Sequence, residues 1–206
     1  MNLKSFVFAL GLFSLAPLAQ AHMVWLERTQ DAVKAYFGEF AAGELETQDG
    51  PLKKFANATV TQQDKALKAT AQPDHFSYAT TNTADVRLSA DLLHGDMLAQ
   101  FRAKSGREET KAVAELEIVP ASTSSNQFVI YFQGKPLAQQ EVVIFAPNKW
   151  SKTYYTNDKG EFSVETPWAG QYVIEARKPV EEAGKYEQKD YKNRYLVATL
   201  SFNVTQ

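Results

Sequence analysis

The stretch TNDKGEFSVETPWAGQYVIEA, residues 156–176, decides how the chain folds. Short runs rich in Val, Ile, Tyr and Phe alternate with turn residues, and no 3.6-residue apolar period persists, which is typical of strands. Residues 157–160 (NDKG) tolerate turn backbone angles, so we predict a hairpin there between KTYYT (152–156) and EFSVE (161–165). PWAG (167–170) turns the chain into the next strand. The stretch therefore predicts β-structure built from short strands.

The same pattern continues on both sides of this stretch. From Asn126 onward, apolar runs recur about every 8 to 15 residues. The further runs are QFVIYF (127–132), EVVIFA (141–146), QYVIEAR (171–177) and YLVATLSFNV (195–204). Six or seven short strands in such a small region, about 80 residues, indicate a β-sandwich.

GKPLAQQEVVIF (134–145), together with the stretch at 156–176, resembles transthyretin-like or carboxypeptidase-regulatory-like domains. The resemblance implies a β-sandwich and gives almost no information about function. One enzymatic subgroup of that fold, the hydroxyisourate hydrolases, ends in Tyr-Arg-Gly-Ser, whereas this chain ends in SFNVTQ and has no histidine in its second half. We therefore set that enzyme class aside. Trp150 and Trp168 are predicted to fill the sandwich core or its rim.

The amino-terminal half is also rich in strand-like runs. These are VWLE (24–27), KAYFGEF (34–40), HFSYAT (75–80), DVRLSA (85–90), MLAQFRA (97–103) and AELEIV (114–119). Residues 51–70 are polar and rich in Ala and Lys, which predicts a short helix or an irregular insertion. A Ser/Thr-rich linker follows Pro120. We predict a mainly β chain with two small β-sandwich domains, Ig-like or transthyretin-like, at 22–120 and 126–206.

Residues 1–21 carry the three-part pattern of a secretory signal peptide. Lys4 supplies a positive charge, residues 5–16 are apolar, and Ala19 and Ala21 provide the small residues of a cleavage site. The apolar run is shorter than the roughly 20 residues that a spanning helix needs. Cleavage would leave residues 22–206 as an exported protein without stable membrane insertion. Because the chain has no cysteine, the bacterial periplasm fits better than a disulfide-rich secreted setting.

Composition excludes several function classes. The chain has 22 Lys and Arg against 24 Asp and Glu, a net charge of −2, so no basic surface for nucleic acid is expected. No Gly-x-Ser-x-Gly motif, no cysteine nucleophile and no Gly-rich phosphate loop is present. We therefore predict that the protein is not an enzyme.

The three histidines of the chain, His22, His75 and His94, are the candidate metal ligands. Cleavage after Ala21 would give His22 a free α-amine, and this amine and the ring Nδ1 can chelate one ion in a six-membered ring. Imidazoles from His75 and His94 would complete a nitrogen-rich site, which suits Ni, Co, Cu or Zn. His75 follows Asp74, which could orient its ring. His94 lies in LHGDM (93–97), beside a carboxylate and a thioether.

The motifs just described resemble a bacterial periplasmic family known as a nickel or cobalt transport accessory component. The resemblance is carried by Ala21-His22 with VWLE, then YFGE (36–39), AKSGREE (103–109), ELEIVP (115–120) and the carboxy-terminal half. It implies a two-domain periplasmic β protein, His22 as first residue of the mature chain, and a membrane metal transporter as partner. The chain has no His-rich tract, which limits it to one or two ions.

Two other functions are open. The first is a metal-free periplasmic adaptor whose β domains bind a partner protein, with His22 incidental. The second is a copper oxidase with a histidine brace, as in lytic polysaccharide monooxygenases, in which His75 or His94 would provide the second imidazole. No clustered aromatic substrate surface is evident from the sequence.

Overall fold

The computed structural model describes residues 22–205, so the predicted signal peptide lies outside the described residues. Within that range the regular elements are strands, apart from one 3-10 helix, Pro51–Phe55. The first ten strands are β1 (Met23–Arg28), β2 (Ala32–Glu39), β3 (Glu44–Leu45), β4 (Thr59–Gln62), β5 (Lys65–Ala66), β6 (Ala69–Ala71), β7 (Phe76–Ala79), β8 (Val86–His94), β9 (Met97–Ser105) and β10 (Leu116–Pro120). The remaining strands are β11 (Gln127–Phe132), β12 (Lys135–Pro136), β13 (Glu141–Phe145), β14 (Ser151–Tyr155), β15 (Glu161–Ser163), β16 (Gly170–Val180), β17 (Gly184–Tyr186), β18 (Lys189–Tyr191) and β19 (Asn193–Val204).

An eight-stranded sheet in the order β14-β13-β16-β19-β9-β8-β4-β5 forms the centre of the molecule. β9 and β19 pair in parallel, with Met97 opposite Asn193 and Ser105 opposite Ser201. Since β9 belongs to the amino-terminal half and β19 to the carboxy-terminal half, this pair makes one continuous sheet from both halves. The division of the chain at residues 120–126 stays a prediction, and the central sheet runs across it.

Each face of the central sheet is covered by a smaller sheet. One smaller sheet has the order β1-β2-β7-β6 with β3 added to β2, and the other has the order β10-β11-β12 with β15 added to β11. Alternate residues of β19 enter the two cores: Val197 packs in the first, and Leu196 and Ala198 pack in the second. Successive side chains of a strand point to opposite faces. The first core therefore lies on one side of the central sheet and the second core on the other.

This layering explains the composition of β19. Residues 196–202 are all buried, and a strand covered on both faces has a nearly continuous apolar run instead of an alternating one. The run YLVATLSFNV has that character. The prediction of a mainly β, sandwich-type fold is confirmed, with the two sandwiches sharing their middle sheet.

β1 lies at the edge of its own small sheet and is attached to the central sheet through side chains. The Oγ1 of Thr199 donates to the carbonyl of Val24 at 2.7 Å, and the Oγ of Ser201 donates to the carbonyl of Leu26. The amide of Gln171 also donates to the Leu26 carbonyl, at 2.8 Å. These bonds satisfy edge-strand carbonyls that the sheet ladder leaves free, and they fix the strand that begins directly after His22.

One local prediction needs correction. Residues 157–160 do form a tight turn, in which Oδ1 of Asn157 accepts from the backbone N–H of Glu161 at 3.0 Å. The turn does not join a paired hairpin, because β14 pairs with β13 in the central sheet and β15 pairs with β11 in a smaller one. Residues 51–70 begin with a short helix, the 3-10 helix, and continue through β4, β5 and part of β6.

A buried ion pair fixes the loop that leaves β9. Nζ of Lys104 lies 2.5 Å from Oδ2 of Asp85, and the two side chains are 2% and 0% exposed. Asp85 also accepts from the backbone N–H groups of Glu108 and Glu109, and Lys104 donates to the Glu109 carbonyl at 2.9 Å. Burial lowers the pKa of Lys104 even though Asp85 opposes that shift. The pair holds residues 106–109 against the central sheet.

We expect Lys104→Met to destabilise the protein by about 3–5 kcal/mol, because it leaves the Asp85 carboxylate buried without its cation. Urea denaturation of Lys104→Met, Asp85→Ala and the double variant measures the effect. The double variant should lose clearly less than the sum of the two single losses. Strictly additive losses would contradict the coupling.

Candidate metal centre

His22 lies at the start of β1, where the chain enters the first core. Its ring centroid is 5.2 Å from that of Phe37 on β2, and Phe37 packs in turn on Phe55 and Phe101, at 4.6 and 5.7 Å. The His22 side chain is 37% exposed. The imidazole is therefore supported by an aromatic cluster on one side and reaches solvent on the other.

Glu46 is the hydrogen-bond partner of His22. Oε1 of Glu46 lies 2.6 Å from Nε2 of His22, and the backbone N–H of Glu46 donates to the Phe37 carbonyl at 2.8 Å. The same residue, Phe37, thus supports the histidine ring and fixes the backbone of its partner. A carboxylate only accepts hydrogen bonds, so the proton of the neutral imidazole lies on Nε2 and the lone pair lies on Nδ1.

Gly38 allows β3 to approach β2 closely enough for this contact. Its φ is +152°, and a Cβ at this position would lie 2.2 Å from the carbonyl oxygen of Glu44. Leu45 pairs with Gly38, and Glu46 follows directly. A side chain at residue 38 would push β3, and with it Glu46, away from His22.

His94 lines the same cavity as His22. The cavity has a volume of about 380 Å³ and is open to solvent. It is lined by His22, Glu46, Lys54, His94 and Met97, with aliphatic and aromatic side chains making up most of the remaining wall. His94 and Met97 are opposite each other across the β8–β9 hairpin. The structure therefore places two imidazoles, one carboxylate and one thioether around one opening.

His75 lies elsewhere. Its Nδ1 is 2.7 Å from Oδ1 of Asp74, the predicted orienting contact, and its ring centroid is 5.2 Å from that of Tyr36. Tyr36 and Phe37 are neighbours on β2, so their side chains point to opposite faces. His75 therefore packs on the face opposite to His22 and does not line its cavity. The structure does not bring the three predicted histidines together.

The carboxylate nearest to His94 in sequence is already paired. Oδ2 of Asp96 lies 2.7 Å from Nζ of Lys192, and this contact lowers the pKa of Asp96. Across residues 22–205, no three side chains of His, Asp or Glu are grouped closely enough to hold a metal ion by themselves. A metal site here needs donors of other kinds, such as a backbone amine, a thioether or an added ligand.

Two further features concern the length of the helices and the exposure of two tryptophans. In residues 22–205 no helix is long and apolar enough to cross a membrane. Trp150 and Trp168, predicted for the sandwich core or its rim, are 51% and 42% exposed, with ring centroids 6.2 Å apart in an edge-to-face arrangement. Their exposure places them outside the core.

No family model matches the chain, and no curated protein matches it. Among solved structures, a "Biofilm associated protein - BSP domain" is 12% identical over 90% of this chain with a TM-score of 0.20, and the chain spans 30% of that protein. The "D0-D1 domain of Intimin" is 12% identical, with 88% of this chain and 97% of that one covered and a TM-score of 0.23. Likeness at this level says nothing of function, and the resemblance to the nickel or cobalt accessory family stays a prediction.

We expect Gly38→Ala to lower the free energy of unfolding by about 1–3 kcal/mol, because the new Cβ meets the Glu44 backbone and the residue is held at positive φ. Gly43→Ala is the matched control, since Gly43 has φ +71° and open space around its Cβ position. Urea denaturation of both variants separates the steric contact from the backbone preference. Equal losses in the two variants would show that the close approach of β3 has no energetic importance.

Proposed function

We propose that the protein is an exported, periplasmic accessory of transition-metal uptake that binds one divalent ion at His22 after removal of residues 1–21. Two donors of the site are the α-amine and Nδ1 of His22. Nickel or cobalt is the proposed cargo, on the resemblance of the sequence to accessory components of nickel and cobalt transport. A membrane metal transporter is the proposed partner.

The hydrogen bond from His22 Nε2 to Glu46 is the observation that carries this proposal. An imidazole that binds a metal through one nitrogen commonly donates its other N–H to a carboxylate, which fixes the tautomer and the ring orientation. The 2.6 Å contact occupies Nε2 and leaves Nδ1, the nitrogen that forms a six-membered chelate with the α-amine. The side chain is thus arranged for chelation before any metal arrives.

The surrounding cavity supports a transition metal over calcium or magnesium. The further donors on its wall are the imidazole of His94 and the thioether of Met97. Nitrogen and sulfur donors suit nickel, cobalt, copper and zinc, whereas calcium and magnesium prefer oxygen ligands. An open site with few protein ligands also suits transfer of an ion better than long-term storage.

The metal-free adaptor is the second candidate, and the exposed Trp150–Trp168 pair supports it. Large exposed aromatic side chains are enriched at protein interfaces. In that case a His22→Ala variant would support cellular metal uptake as well as the wild type does. A histidine-brace oxidase would use His94 as its second imidazole, and peroxide formation with Cu(II) and a reductant would favour it.

We expect the correctly cleaved protein to bind Ni(II) or Cu(II) at about one ion per chain in calorimetric titrations. One alanine added before His22 turns the α-amine into an amide, which no longer chelates. The extended protein should lose more than about 100-fold in affinity, which is more than an orienting partner alone contributes. Unchanged affinity in the extended protein would disprove the amine as a ligand.

We expect Glu46→Ala to weaken metal binding by about 10–100-fold, because the ring of His22 loses the partner that fixes its tautomer. Glu46→Gln is the matched control, since its amide oxygen still accepts from Nε2, and it should lose less. Both variants should keep the wild-type unfolding curve, because Glu46 is not in the core. If the two variants bind metal as the wild type does, the orienting role of Glu46 is wrong.

A further inference from the structure

The cavity beside His22 is much larger than a metal ion requires. Its 380 Å³ compares with about 30 Å³ for one water molecule in the liquid, and it falls within the range of small-molecule sites. The part of the wall beyond the polar donors includes Leu92, Leu93, Phe101 and Val197. A hydrated ion gains nothing from contact with such a wall, whereas an organic ligand with an apolar portion buries surface there.

The protein donors around the cavity are also too few to surround an ion. The amine and Nδ1 of His22 fill two positions, and the thioether of Met97 on the same wall offers a third. His94 also lines the cavity, but across the described residues no three His, Asp or Glu side chains are grouped closely enough to hold one ion. Tetragonal or square-planar sites of nickel and copper have at least four ligands. The remaining positions of the ion are therefore available to a second, small chelator.

The charged residues at the rim of the cavity indicate the charge that the chelator should carry. Glu46, the carboxylate on the cavity, is engaged with His22, while Lys54, an exposed basic residue, also belongs to the lining. Lys54 lies in the last turn of the 3-10 helix, and this helix is anchored by the burial of Leu52 and Phe55. A cation on an anchored backbone beside an apolar wall favours a ligand with a carboxylate at one end and an apolar portion at the other.

From these three features we infer that the cavity takes the metal as a mixed complex with a small organic carboxylate chelator of the α-amino acid type. His22 holds the ion, Lys54 pairs with the chelator's carboxylate, and the apolar side chain of the chelator lies against Leu92 and Phe101, which share one face of the β8–β9 pair. This inference rests on the proposed function, since it needs the ion at His22. It adds the class of ligand that accompanies the ion.

Equilibrium dialysis of the correctly cleaved protein tests the inference, with Ni(II) as the metal and glycine or L-phenylalanine as the chelator. The first arm contains Ni(II) alone, and the protein should retain about one ion per chain. In the second arm L-phenylalanine should be retained with the ion in about equal amount. Glycine has the same chelating atoms and no side chain, so it should bind about tenfold or more weakly.

Three variants locate the chelator. Lys54→Gln should weaken retention of L-phenylalanine several-fold and leave binding of Ni(II) alone unchanged, and Lys53→Gln, on the neighbouring exposed lysine, is the matched control. Leu92→Trp should fill the cavity and abolish retention of the amino acid while Ni(II) alone still binds. If Leu92→Trp does not fold, the charge variants still decide the question.

The outcomes separate the two proposals. Retention of Ni(II) without L-phenylalanine, equal binding of glycine and L-phenylalanine, or removal of Ni(II) from the protein by the amino acid would overturn the inference and leave the proposed function standing. Retention of neither Ni(II) alone nor Ni(II) with the amino acid would overturn both. Retention of the two ligands only when they are supplied together would uphold the inference and show that the amine and imidazole alone bind too weakly.

Discussion

The hydroxyl and amide side chains that hold β1 on the central sheet are the constraint on which the rest of the candidate site depends. Thr199, Ser201 and Gln171 donate to the carbonyls of Val24 and Leu26, so the first strand is fixed from two directions, by the ladder of β2 and by the central sheet. His22 precedes this strand by one residue. Its freedom is therefore limited to one residue of backbone and two side-chain torsions, and an aromatic cluster and Glu46 restrict the ring further.

The two-sided burial of the central sheet supplies the rigid base for that attachment. β19 contributes Val197 to one core and Leu196 to the other, while its small polar residues, Thr199 and Ser201, are turned toward β1. A valine in place of Thr199 would have nearly the same volume and would leave the Val24 carbonyl without its side-chain donor. The polar residues within the most buried strand are thus explained by the backbone they satisfy.

Much of the secondary structure could be predicted from the sequence, since alternation and β-branched content are local properties. The runs QFVIYF and EVVIFA correspond to β11 and β13 within a residue at their ends. The partner of each strand could not be predicted in the same way. The turn at 157–160 was recognised from its residues, yet whether the strands beside it pair depends on two sheets that are assembled from distant parts of the chain.

In the candidate site too, residues marked by their sequence neighbours could be predicted, whereas contacts between distant strands could not. His22 was identified from its position after a cleavage pattern and His94 from its neighbours, and both line one cavity. Glu46 was missed, because nothing in GELET (43–47) marks a ligand partner. Its role follows from the close approach of β3 to β2 at Gly38. The glycine itself is the local signal of that approach in the sequence. His75 has a neighbouring carboxylate as expected, but the alternation of β2 directs it to the opposite face.

The parallel pairing of β9 with β19 also sets the order in which the molecule can form. β9 pairs on one side with β8, its neighbour in the chain, but on the other side with residues 193–201. The central sheet therefore cannot close until those last strand residues are present, and such distant pairing is slow compared with hairpin formation. The side of β9 that faces β19 therefore stays unpaired during synthesis until residues 193–201 have been made.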